Sequence, residues 1–264
     1  MSDFTPTPPP PYVEGHNLLA GKTVLVTAAA GTGIGFATAK RCAEEGARVM
    51  ISDIHEKRLA DAAARLEEAT GTLPPTRLCN VTQQDDVSAL IEAAASELGG
   101  IDILVNNAGL GGNAPLTEMT DDQWNIVIDV TLNGTFRMTR EAMRHMMPRG
   151  AGVIVNNASV LGWRAQKLQA HYAAAKAGVM ALTRCAALEA AEQGVRINCV
   201  APSIAMHEFL SKVTPDGLLE ELTSREAFGR AAEVWEISNV IVFLASGYSS
   251  YMTGETISVS SQRA

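Results

Sequence analysis

The chain has 264 residues, 47% of them hydrophobic and 19% charged, with a formal net charge of −8, so it holds one large domain or two small ones around a sizeable core. An acidic balance without any Lys/Arg run argues against a nucleic-acid partner, and no apolar run reaches the ~18–20 residues of a membrane span or forms a signal core at the N-terminus. Cys42, Cys79, Cys185 and Cys199 lie far apart with no C-x-x-C spacing, which argues against a disulfide framework or a metal site and fits a reduced, cytoplasmic setting.

Residues 1–18 come first. Five of the eleven prolines fall at position 6 and positions 8–11. This stretch is not helical; it reads as an extended arm, disordered or laid along the body or a neighbouring subunit. From Lys22 onward, β-branched runs alternate with alanine-rich stretches. Residues 23–27 (TVLVT) read as a buried strand, 36–47 as a helix, 47–52 as a strand and 56–71 as a helix closed by Gly71. A strand at 76–80, a helix at 85–100 with a double-glycine stop and a strand at 101–109 follow. Thr120-Asp121-Asp122-Gln123 has capping-box spacing, which predicts a long helix ending near Pro148. Strands at 152–159 and 195–202 flank a helix around 171–193; a helical segment near 233–246 and a strand at 255–260 complete the chain. About seven apolar strands joined by helices indicate a single α/β domain over residues 19–264. Its parallel sheet would be doubly wound, with helices on both faces.

The loop after the first strand, VTAAAGTGIG (residues 26–35), ends one strand and opens a helix. Dinucleotide pyrophosphates dock at such a place, where glycines let backbone amides approach the phosphates. Its spacing is irregular, and a tight turn without ligand is the bland alternative. Asp53 ends the second strand, 18 residues after Gly35. A carboxylate about 20 positions beyond the loop can bond the adenosine ribose hydroxyls and repel a 2′-phosphate, which favours NAD(H) over NADP(H). His55, Lys57 and Arg58 lie nearby, and Asp53 can equally serve as a helix N-cap.

Tyr172 and Lys176 are four residues apart, so on a helix they share a face. A neighbouring cation favours phenolate and lowers the phenol's pKa, which would equip the tyrosine for proton transfer to or from a carbonyl or alcohol oxygen. Ser159 lies 13 residues before Tyr172, at the end of NNAS (156–159), and NNAG occupies 106–109. Together with the glycine loop, this set resembles the short-chain dehydrogenase/reductase family over residues 20–260, hence a Rossmann fold.

The resemblance implies an oxidoreductase that interconverts a secondary alcohol and a ketone by hydride transfer. It makes Tyr172 the general acid/base, gives Ser159 the orienting of the substrate oxygen, and gives Lys176 the nicotinamide ribose and the tuning of the tyrosine. It places Gly31, Thr32, Gly33, Ile34 and Gly35 at the pyrophosphate and Asp53 at the ribose. Asn80 and Val81 fall at the adenine, Asn107, Ala108 and Gly109 on the adenosine side, and Pro202 with Ala205 in the loop that reaches the nicotinamide amide. It also implies a homotetramer.

The chain departs from the family pattern at four places. Ala28 replaces the first loop glycine and one residue is inserted; the expectation is that Ala28 avoids positive φ, that Gly31 makes the turn, and that a bulge forms around residues 29–32. Thr131 stands where the family carries a catalytic Asn whose backbone carbonyl helps hold a relay water, and a mid-helix Thr can bond back to the i−4 carbonyl. In the loop after the sixth strand, Ser203 follows Pro202 and His207 replaces a threonine; His207 is either an exposed lid residue or a cofactor or substrate contact. The VSSQRA ending puts Gln262 and Arg263 at substrate or an interface.

A lid over residues 207–230, with Phe209, Leu210, Val213, Leu218 and Leu219, together with Leu161 and Trp163, suggests a bulky hydrophobic alcohol or ketone. Trp163, His207 and Phe209 are the substrate candidates, and Arg164 and Lys167 could hold an anionic group. The loop, Thr131 and the C-terminus resemble an actinobacterial subgroup associated with steroid-ring catabolism, which implies a polycyclic or CoA-linked substrate. A 3-oxoacyl-thioester reductase is the alternative within the family, and a non-catalytic NAD(H)-binding sensor the alternative outside it.

Overall fold

A computed structural model describes residues 6–207 and 216–262. Seven parallel strands form one sheet: β1 (Thr23–Val26), β2 (Arg48–Asp53), β3 (Thr76–Leu78), β4 (Ile103–Asn106), β5 (Gly152–Asn157), β6 (Val195–Pro202) and, last in the chain, β9 (Thr256–Val259). The spatial order is β3-β2-β1-β4-β5-β6-β9, so the order reverses between β1 and β4. Ligands of doubly wound sheets bind at that switch point, beyond the carboxyl ends of the strands.

Alternation along the strands divides the core in two. Val24, Val26, Val49 and Ile51 face one layer, packed by Leu59 and Leu66 of α2 (Glu56–Thr70) and by Ala39 and Cys42 of α1 (Ile34–Glu44). Leu25, Met50 and Ile154 face the other, with Leu90 of α3 (Gln84–Leu98), Met138 of α5 (Gly134–Met146) and Ala187 of α6 (Ala170–Ala191). Both faces are dry, which is why the strands read as unbroken apolar runs. The seven strands and their helical crossovers are as expected, with ends trimmed by a few residues. Helix α2 does end on Gly71, at φ +74°, a left-handed cap that side chains with a Cβ avoid.

Three features differ from the expectation or extend it. The long helix after Thr120 is not continuous. The Thr120–Gln123 capping box opens α4 (Asp121–Ile128), a π-helical turn occupies Asp129–Asn133, and α5 follows. Within the segment assigned to a lid, Phe209, Leu210 and Val213 lie outside the described residues, as does Arg263 at the C-terminus. What is described there is α7 (Asp216–Ser224) and a small parallel pair, β7 (Ala205–Met206) with β8 (Ala232–Glu233), ahead of α8 (Val234–Ala245). Neither strand of that pair shows in the sequence, because two residues carry no period.

Of the dispositions open to the N-terminal arm, its described part, residues 6–18, lies along the body. Arg41 donates to the carbonyls of Val13 (2.6 Å) and Glu14 (3.2 Å), while the Glu45 carboxylate accepts the amides of His16 (2.8 Å) and Leu18 (2.9 Å). Those two side chains pair at 2.7 Å and are almost fully buried. The Tyr12 ring stands edge-on to Trp235 of α8 with centroids 5.4 Å apart. Among the described residues, no helix is long and apolar enough to cross a membrane.

Candidate active site

The loop from β1 to α1 is built on Thr27. Its hydroxyl accepts the amides of Asn107 (3.0 Å) and Ala108 (3.2 Å), tying the ends of β1 and β4 together at the switch point. Asn107 returns the tie by donating to the Ala28 carbonyl at 3.1 Å. The expected division of labour inside the loop is reversed. Ala28 itself takes the left-handed conformation, at φ +51°, and Gly31 does not. The amide of Ala29 is held by Ser52 O at 3.0 Å and that of Ala30 by Asp53 Oδ2 at 3.3 Å. Anchors on both sides of the turn over-determine it, so the alanine bears the strain. Gly35 is required by space: a Cβ there would lie 2.4 Å from Asn107 Nδ2 and 2.5 Å from Ala28 O. No side chain caps the N-terminus of α1 at Gly33, which leaves its first amides to an anion.

Asp53 sits at the carboxyl end of β2 and is 8% exposed. Its Oδ1 accepts the His55 amide at 3.0 Å and lies 3.6 Å from Arg58, while Oδ2 reaches the loop at Ala30. It is not the cap of α2, since His55 holds the N-cap position. The Oδ1 of Asn80 accepts both the amide (3.1 Å) and the hydroxyl (2.9 Å) of Thr82, so both of its lone pairs are engaged. Val81 packs on Gly134, where a Cβ would lie 2.7 Å from it.

The carboxyl end of β5 and the first two turns of α6 bring Ser159, Tyr172 and Lys176 together. The Ser159 hydroxyl lies beside the Tyr172 phenol. Burial pushes that phenol up to about 12, with Ser159 pulling the other way. Lys176 is 3% exposed. It donates to the Asn157 carbonyl at 2.5 Å and lies 5.5 Å from the centre of the Tyr172 ring. Burial lowers its pKa to about 8. The expectation that the cation would depress the phenol's pKa is therefore not met, because desolvation of both groups dominates.

Thr131, at the π turn, is fully buried. Its hydroxyl accepts from the Leu110 amide (3.0 Å) and donates to the Leu110 carbonyl (3.1 Å), so it does not bond back along its own helix. That back-bond belongs to Thr135, which donates to Thr131 O at 2.7 Å. Gly109 lies against Lys176, where a Cβ would be 3.3 Å from Nζ, and Gly111 lies along the Tyr172 ring.

Other candidates are placed more loosely. The partly buried His207 ring lies against Gly33 of the loop, 3.7 Å from where a Cβ would stand, and burial lowers its pKa. Pro202 ends β6 beside Val259, and Ala205 pairs with Ala232. Trp163 is 53% exposed at the end of a short 3-10 turn that follows Ser159.

A buried amide ladder was missed. Asn106 Nδ2 donates to Asn156 Oδ1 (2.9 Å), Asn156 Nδ2 to Thr183 (2.9 Å), and Asn157 Nδ2 to Asn107 Oδ1 (2.9 Å). The repeated N-N doublet at the ends of two strands was its signal, since neighbouring strands put Asn106 opposite Asn156.

The sequence profile of a family described as enoyl-(acyl carrier protein) reductase matches residues 28–261. A Mycobacterium tuberculosis protein named (5R,7aS)-5-hydroxy-7a-methyl-1-oxo-2,3,5,6,7,7a-hexahydro-1H-indene-carboxyl-CoA reductase is 60% identical over 96% of this chain and 97% of its own. A solved short chain dehydrogenase from Mycobacterium smegmatis is 54% identical, with a TM-score of 0.86 over 97% of this chain and 98% of that one. The chain belongs to the short-chain dehydrogenase/reductase family. As a short-chain dehydrogenase/reductase it is an oxidoreductase, and the family works with a nicotinamide cofactor. A Thermotoga maritima member, a 3-oxoacyl-[acyl-carrier-protein] reductase, is 39% identical over 91% of this chain and 97% of its own.

The residues of this short-chain dehydrogenase/reductase fit a dinucleotide. The uncapped α1 terminus suits a pyrophosphate. Gly109 leaves bare backbone beside Lys176, and Asp53 ends the strand next to the loop.

Proposed function

We propose that this protein interconverts a ketone and a secondary alcohol on a hydrophobic substrate carried as a CoA thioester, using NAD(H). The observation that carries the reading is the Ser159–Tyr172–Lys176 cluster, with Ser159 beside the phenol and Lys176 buried one helical turn away. When bound, the nicotinamide supplies or takes up the hydride. Ser159 orients the substrate oxygen by a hydrogen bond. Tyr172 gives its proton to that oxygen in reduction and takes it back in oxidation. Burial keeps the phenol protonated at neutral pH, so it carries the proton that reduction requires. Lys176 holds the ribose and, through the Asn157 carbonyl, keeps a fixed distance from the phenol.

Thr131 belongs to the same reading. The π turn widens the helix at its carbonyl, which supports a relay water between Thr131 O and Lys176. Gly31 to Gly35 hold the pyrophosphate, Asp53 the ribose, and Asn80, Val81, Asn107, Ala108, Gly109, Pro202 and Ala205 the remainder of the dinucleotide. Trp163 and His207 are the substrate contacts of this reading; Phe209, assigned the same role from the sequence, lies outside the described residues. A homotetramer, a cytoplasmic location and the division into an arm (1–18) and one catalytic domain (19–264) complete the proposal.

The CoA-linked substrate is supported by the 60% identical relative, whose name specifies a ring-bearing carboxyl-CoA. The 3-oxoacyl-thioester alternative is supported by the Thermotoga relative at 39%. The test is a titration of NADH against NADPH, followed by a screen of cyclic and linear ketone thioesters. Turnover of linear 3-oxoacyl thioesters alone would favour the alternative. Tight binding of NADPH with none of NADH would sink the Asp53 assignment.

A further inference from the structure

Several described arginines pair with a carboxylate, among them Arg41 with Glu45, Arg137 with Asp129, Arg225 with Glu221 and Arg230 with Glu236, while Arg48 and Arg65 donate to backbone carbonyls. Arg164 does neither. It lies five residues after Ser159, exposed beside Trp163, and its Nη1 donates to the side-chain carbonyl of Gln262. An amide orients a guanidinium without neutralising it. In a chain of net charge −8, a cation held in that way keeps its charge and its remaining donors for something else.

The amide is itself held. Glu226, 2% exposed, follows α7 and accepts the Ser261 amide (3.0 Å) and hydroxyl (2.9 Å) on one carboxylate oxygen. Glu226 and Gln262 form an antiparallel bridge, and the Ala227 amide donates to Ser261 O at 2.5 Å. The other carboxylate oxygen is buried without a partner. Burying a carboxylate is costly, and here its hydrogen bonds fix Ser261 next to Gln262, which in turn aims Arg164.

We propose that Arg164 is a substrate-binding residue for a phosphate group of the thioester tail, with Gln262 and Glu226 as its positioning residues. The proposal rests on the CoA-thioester reading above. A planar guanidinium offers phosphate two parallel donors. Five residues of chain separate Arg164 from Ser159, a span of at most ~17 Å, so the reacting carbonyl and a distant phosphate can be held by one short segment.

The experiment compares 4-oxocyclohexanecarboxyl-CoA with the pantetheine thioester of the same acid, which lacks the phosphates, on the full-length protein. For Arg164→Ala, KM for the CoA thioester rises about tenfold with kcat nearly unchanged, and KM for the pantetheine thioester and the Kd of NADH stay at wild-type values. Gln262→Ala and Glu226→Ala shift the same KM less, and Glu226→Gln, which can still accept from Ser261, restores it. If Glu226→Ala does not fold, Arg164→Ala and Gln262→Ala decide alone. An unchanged ratio of the two KM values in Arg164→Ala overturns the inference while leaving the thioester reading in place. Turnover of neither thioester by the wild-type protein overturns that reading first. A matching loss of NADH affinity would place the phosphate on the cofactor instead and overturn the inference.

Discussion

Lys176 and Tyr172 are pushed toward neutrality together. The ammonium, 5.5 Å from the centre of the phenol ring, falls to about 8, while the phenol rises to about 12. Each charge is opposed by the same dry surroundings, so neither group stabilises the charge of the other enough to offset desolvation. The site thus holds a proton on Tyr172 and holds one only loosely on Lys176.

This has a consequence for stability against pH. The lysine's ordinary pKa is 10.5 and its folded value about 8, so between those pH values the unfolded chain binds more protons than the folded one. Stability gained from Lys176 therefore rises with pH across that window. Tyr172 works the other way, but only above pH 10, and buried Cys42, Cys79 and Cys199 also oppose it from about pH 9 upward. Between pH 8 and 9 the lysine contribution is the cleanest. In denaturant titrations, the stability difference between wild type and Lys176→Met should shift in favour of wild type over this interval. A difference independent of pH would show that Lys176 titrates normally.

The loop makes a second prediction. Ala28 holds φ +51°, a region that costs a residue with a Cβ about 1 kcal/mol. Ala28→Gly relieves that strain but adds freedom to the unfolded chain, for a net gain of about 0.5 kcal/mol and a Tm higher by roughly 1–2 °C. Gly35→Ala forces a Cβ to within 2.5 Å of Ala28 O and costs about 2 kcal/mol or more. Gly31→Ala meets open space and is tolerated. Thermal melts of the three variants check the order.

That loop also shows where sequence reading stops. The strands, their order of appearance and the helix caps at Thr120 and Gly71 follow from apolar runs and capping chemistry, which are local. Ser159, Tyr172 and Lys176 were legible as spacing, and the fold does bring them together. The conformation of Ala28 was not legible, because it is imposed by Asn107, Ser52 and Asp53 from two other strand ends. The π turn escaped for the same reason: within it the Thr131 hydroxyl bonds the backbone of Leu110, 21 residues earlier. The raised phenol and the buried amide ladder depend on depth, which no spacing reports.

Thr131 can be tested by an isosteric change. Thr131→Val strands the Leu110 amide and carbonyl, each bonded now to the hydroxyl at about 3 Å. A loss of about 1 kcal/mol is expected from the lost hydrogen bonds to these part-buried groups. Chemical denaturation measures it, and a variant as stable as wild type would show that Leu110 finds other partners.

Asp53 predicts cofactor choice. Its carboxylate is nearly buried between the loop and His55, where a 2′-phosphate would meet its charge. Asp53→Ala should weaken NADH by about tenfold and bring NADPH into measurable use. Unchanged Kd values for both cofactors would remove Asp53 from the site.

The most direct test of the central claim is reduction of a ketone substrate by Tyr172→Phe, measured beside NADH binding. The phenol hydroxyl is the only atom removed, and Ser159 and Lys176 remain. The account predicts a kcat lower by about 10³-fold with the Kd of NADH within about twofold of wild type. A variant that reduces the ketone within tenfold of the wild-type rate while binding NADH normally would contradict it.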